Sequence, residues 1–121
     1  MRIRTLVAAA VLFPYALSLA QPANPVEEEL SALRARTDIS FVMQAGWTIA
    51  TSRDRLTTWS FTPSAHAAHP AFVKRRFYEK EGAVLVEMSA QCGAEKVACD
   101  ALIADFRKLN QQLQESMRAP K

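Results

Sequence analysis

Glycine and cysteine are scarce in this 121-residue chain, at 3 and 2 residues, and neither sign of charge dominates, with 15 Lys+Arg against 12 Asp+Glu. So few glycines exclude a Gly-rich phosphate loop, and so few cysteines exclude a dense disulfide scaffold. There is no long acidic or basic tail, no low-complexity tract and no internal repeat. What is present, 50% hydrophobic and 22% charged residues, is the composition of a globular protein and rules out wholesale disorder and a collagen-like chain. The length fits one domain.

The chain opens on a short cationic segment, Met1-Arg2-Ile3-Arg4, followed by Thr5 to Ala20 without a charge. Ser18-Leu19-Ala20 places small side chains at the −3 and −1 positions of a bacterial-type cleavage site. Residues 1–20 therefore read as a signal peptide cut after Ala20, and the protein as exported, periplasmic or secreted. The competing reading is an uncleaved anchor, but Pro14 interrupts an apolar run already short for a ~30 Å hydrocarbon layer. No cysteine lies near the cut to carry a lipid, and the two arginines are not adjacent as a twin-arginine signal needs. Stable membrane insertion after cleavage is not expected. Removing Arg2 and Arg4 leaves 13 basic and 12 acidic residues (15 − 2 against 12), a net charge of +1. A nucleic-acid binder needs a basic face to displace counterions, so nucleic acid is not an expected partner.

Gln21 to Pro25 reads as a flexible leader because its two prolines disfavour helix. The domain proper spans 26–121. Val26, Leu30, Leu33 and Thr37 recur at helical spacing behind Glu27, Glu28 and Glu29, which predicts a short N-terminal helix over 26–37. From Ile39 to Ile49 the apolar period drops to two, a strand with Gly46 as a bulge or break. Ser52 to Arg55 is a polar turn into a second strand, Leu56 to Phe61, and the pair forms a β-hairpin. Pro63 to Pro70 is a loop holding both histidines. A second hairpin runs from Phe72 through Lys80-Glu81-Gly82 to Ala90. Ala94 to Met117 has no proline or glycine, and its apolar stripe of Cys99, Leu102, Phe106, Leu109, Leu113 and Met117 predicts a long amphipathic helix. The expected fold is α+β, two hairpins in one antiparallel sheet with both helices on one sheet face.

Trp59-Ser60-Phe61-Thr62-Pro63, His69-Pro70, Val73-Lys74-Arg75 and Cys92 with Cys99-Asp100 together resemble small exported proteobacterial proteins of unknown function. The resemblance covers about residues 47–110, and no functional residue carries over from it.

Cys92 continues the buried strand face and Cys99 the helix stripe, so in an oxidising compartment the two are expected to form a disulfide. Closing that short loop restricts the unfolded chain by roughly 2.5 kcal/mol. A redox pair is the alternative, against which Cys99 lies too deep in its helix. His66 and His69 can meet one metal only if a third ligand joins them, and Glu79, Glu81, Glu87 and Met88 are not at ligand spacing. Solvated loop histidines are the plainer reading. No cofactor is implied, and no nucleophile stands beside a base, so the favoured reading is a non-catalytic binding or accessory protein of the cell envelope, with a metal-binding or metal-dependent enzyme using the His66/His69 loop and a purely structural envelope protein as the alternatives. Lys74, Arg75 and Arg76, with Arg53 and Arg55, are the one basic concentration. They read either as charges protecting an edge strand or as a contact for an acidic partner, a protein or an anionic envelope component. Oligomeric state is open.

Overall fold

The computed structural model of the protein describes residues 8–12, 14 and 24–118. The signal peptide expected over 1–20 and the leader over 21–25 fall mostly outside these residues. Helix α1, Pro25–Arg34, begins where Asn24 caps it: the Asn24 side chain accepts from the Val26 amide at 3.0 Å, and Pro25 takes the first-turn position that needs no donor. It ends three residues before the expected Thr37, at a cap on Ala35.

Five strands follow as a meander, β1 Ile39–Gln44, β2 Trp47–Ser52, β3 Thr57–Phe61, β4 Ala71–Lys80 and β5 Ala83–Cys92, each antiparallel to its neighbours. The run from Ile39 to Ile49, expected as one strand, is two. Ala45 and Gly46 both have positive φ, 50° and 83°, which is the backbone of a tight two-residue hairpin turn rather than a bulge. Residues paired across a two-residue turn differ in parity, as Met43 with Thr48, so the unbroken odd-numbered period puts Ile39, Phe41 and Met43 on one sheet face and Trp47 and Ile49 on the other, a change that the period alone does not show. Glu81 and Gly82 make the same kind of turn between β4 and β5, with φ of 54° and 78°.

Register assigns the two faces. Ala50, Trp59, Phe61 and Phe72 lie on one, in line with Ile39 and Phe41, and Val26, Leu30 and Leu33 of α1 pack over them. Ala71, Val73, Met88, Ala90 and Cys92 lie on the other, beneath Ala98, Leu102 and Phe106 of the long helix α2, Lys96–Ser116. The helices thus occupy opposite faces, not one, because the two apolar sets of β3 and β4 both need cover. Leu102 is 2% exposed, and burying it contributes about 1.5–3 kcal/mol. Along α2 the buried stripe steps from Phe106 to Asn110, leaving Leu109 and Met117 outside it at 45% and 54% exposure. The four-residue step follows the 3.6-residue period and puts an amide, not a leucine, over the sheet.

Cys92 and Cys99 are bonded, with their Cα atoms 5.9 Å apart, so the disulfide fastens the end of β5 to the first turns of α2. Between them Gly93 donates its amide to the Pro70 carbonyl at 2.8 Å, and a Cβ there would meet the Pro70 ring at 3.2 Å. Glycine leaves room for that close approach, which a larger residue would crowd by a few tenths of an ångström.

Candidate functional site

The α1 face is only half covered. Helix α1 ends over Trp59, and the remainder of β3, β4 and β5 on that face presents Thr57, Lys74, Arg76, Glu87 and Ser89. A hollow of about 630 Å³ opens there, lined by Arg36, Asp38, Ser52, Arg53, Asp54, Thr57, Trp59, Lys74 and Arg76. Its neighbours share its walls. A recess of about 210 Å³ continues past Lys74 and Arg76 to Glu87, Met88 and Ser89. Another of about 300 Å³ continues past Asp38, Ser52 and Arg53 around the end of β1 and β2 to Arg55. The three form one elongated track.

Local structure sets each charge along it. Arg36 clasps Asp38 through two bonds, Nε to Oδ1 at 2.9 Å and Nη2 to Oδ2 at 2.7 Å. These bonds raise the arginine pKa and lower that of the carboxyl. Asp54 braces the β2–β3 turn by accepting from the Ser52 hydroxyl at 2.6 Å and the Leu56 amide at 2.9 Å, and both hold its pKa below the usual carboxylate value. Arg76 donates twice to Glu87 across β4 and β5, at 3.0 and 2.7 Å. Every acid on the track is therefore engaged by its own scaffold. Lys74, Arg53 and Arg55 form no ion pair among the described residues. Lys74 Nζ and the Arg36 guanidinium lie 5.4 and 5.8 Å from the Trp59 ring centroid, cation–π contacts that steady both over a rigid buried floor.

The basic residues singled out from sequence divide. Lys74, Arg76, Arg53 and Arg55 converge on the track. Arg75 does not. Alternation sends it to the α2 face, where it stacks 5.2 Å from the Phe106 ring and 5.6 Å from Phe77 and donates to Asn110 Oδ1 at 3.4 Å. Burial lowers its pKa. The edge-protection reading of Lys74-Arg75-Arg76 is also overturned, because β4 is paired on both sides. Arg36, which lies inside the helix expected over 26–37, joins the track because α1 stops at Arg34. The spacing of Arg36 and Asp38 was the available signal.

His66 and His69 are turned to local work. His66 Nδ1 accepts from the Ala68 amide at 3.0 Å while its ring meets the edge of Trp47, with centroids 5.2 Å apart. His69 Nδ1 lies 3.1 Å from the Thr62 hydroxyl and 3.2 Å from the Thr62 carbonyl. Among the described residues no three His, Cys, Asp or Glu side chains are grouped to hold a metal. No helix among those residues is long and apolar enough to cross a membrane. Compared with protein-family models, curated proteins and solved structures, the chain matches none.

Proposed function

We propose that this is an exported, non-catalytic binding protein of the cell envelope whose ligand is an extended anionic chain, a polymer bearing phosphate or carboxylate groups. The carrying observation is the track itself. Five cationic side chains line three confluent recesses: Arg36 and Arg76 are paired with Asp38 and Glu87, while Arg53, Arg55 and Lys74 carry no ion pair among the described residues. An elongated, solvent-open furrow suits a chain laid along it better than a small molecule enclosed within it. Arginine forks and a lysine ammonium fit phosphate and carboxylate oxygens. The disulfide supports an oxidising compartment and hence export.

The test is titration calorimetry of the mature protein with a polyphosphate and a polyuronate, each also supplied as its monomer. Exposed ion contacts are worth up to about 1 kcal/mol each, so reversing two cations in Arg53→Glu/Lys74→Glu should weaken polymer binding by about 10-fold or more. Arg107→Glu/Lys108→Glu, on the exposed side of α2, serves as the charge-matched control. Equal losses in the two double variants, or equal affinity for monomer and polymer, would overturn the reading.

A further inference from the structure

Strand β1 is the outer strand on its side of the sheet, and its sequence Ile39-Ser40-Phe41-Val42-Met43-Gln44 contains no charge, proline or glycine. Sheet edges are ordinarily blunted by one of these devices, because an open row of amides and carbonyls pairs readily with another strand. Here each face of the strand carries an apolar side chain open to solvent, Phe41 and Met43 on one at 37% and 68% exposure and Val42, between Ser40 and Gln44, on the other at 58%. The opposite edge strand, β5, carries Glu87 and is fastened at its end to α2 by the disulfide.

We propose that β1 is a homodimerisation edge that pairs antiparallel with β1 of a second copy about a two-fold axis. Register follows from the hairpin. A two-residue turn makes Gln44 and Trp47 a hydrogen-bonded pair, so Val42–Ile49 and Ser40–Thr51 are hydrogen-bonded as well, and the main-chain groups of Ile39, Phe41 and Met43 point outward. A two-fold pairing of those outward groups with the greatest overlap sets Phe41 opposite Phe41 of the partner subunit and Ile39 opposite Met43 of the partner subunit. Three such pairs supply about six main-chain hydrogen bonds, two to a pair. An aromatic pair sits at the centre on the α1 face, and Ser40 faces Val42 of the partner subunit on the other. The strand's lack of charge leaves nothing to repel its copy. The same axis keeps the α1 face of both copies on one side, so the two cationic tracks open in one direction, as a bivalent hold on one polymer requires.

Analytical ultracentrifugation tests the dimer without any ligand, so its failure is separate from that of the binding reading. One strand pair falls below the roughly 1,200–2,000 Å² of a standard interface, and dimer should accumulate between about 10 μM and about 1 mM. Two variants leave the β1–β2 ladder intact: Met43→Pro removes an outward amide only, and Phe41→Lys sets like charges opposite each other. Each should raise the dimer dissociation constant about 10-fold or more while retaining the parent melting curve. Hydrogen exchange on the parent gives a readout that does not depend on either variant folding. Concentration-dependent protection of the Ile39, Phe41 and Met43 amides is expected. A monomer at about 1 mM, protection at β5 instead, or a dimer undiminished in both variants would overturn the proposal.

Discussion

Two side-chain groups bear on stability out of proportion to their size. The Cys92–Cys99 bond joins residues at the junction of β5 and α2, where Ala90 and Cys92, both partly buried, pack against the buried cluster and Gly93 turns the chain against Pro70. Cys99→Ser releases the loop and leaves a thiol and a hydroxyl beside apolar neighbours. The expected cost is about 2–5 kcal/mol, the range for native bridges in small secreted domains, read as a lowered urea midpoint with unchanged slope. A parent-like midpoint would show that packing alone holds α2. Arg75 is the second group. It is a partly buried guanidinium with no acid within ion-pair distance among the described residues, held by two aromatic rings and one amide. Its stem covers apolar surface while the charge leans on ring faces, which accounts for Asn110 where the helix pattern called for leucine.

Among the elements, the β1–β2 turn is the most readily improved. Ala45 holds φ 50°, a region costing an L-residue with a Cβ about 1–2 kcal/mol, whereas asparagine tolerates it and Asn-Gly is a preferred pair for such turns. Ala45→Asn should therefore raise stability by about 0.5–1 kcal/mol and the melting temperature by about 2–8 °C, followed by circular dichroism. No gain would mean that strain at Ala45 is relieved elsewhere. The turn also marks what was legible. Both long hairpin strands, the Glu81-Gly82 turn, the disulfide and the body of α2 follow from period and punctuation. Those signals are local, two residues or one helical turn in reach. The strand count was missed because Ala-Gly is a weak turn pair. The placement of the helices was missed because a short stripe on α1 says that it needs a partner and not which face supplies it. The basic cluster failed in the same way: adjacent Lys74, Arg75 and Arg76 were visible, but only register separates the outer two from the middle one and brings Arg36, Arg53 and Arg55 to them.

At the scale of the whole molecule, the cut expected after Ala20 falls before the first residue of the described core. Among the described residues both buried clusters, with the side chains packed against them, are drawn from Val26 to Phe106, and the Asn24 cap that starts α1 also lies beyond Ala20. Cleavage there would remove none of the described side chains of either cluster. It would also remove Arg2 and Arg4, lowering the net charge from +3 to +1 and leaving the track's cations as a localised field on a nearly neutral body. That arrangement favours oriented attraction to a polyanion over general adhesion, and it weakens as salt shortens the Debye length from ~10 Å at 0.1 M. Intact-mass analysis of exported material is expected to give a chain beginning at Gln21, and that chain should melt with the same midpoint as one carrying residues 1–20. Full-length protein recovered with the membrane fraction would show the segment to be an anchor. A mature chain that melts well below the longer one would show that residues 1–20 contribute to the fold after all.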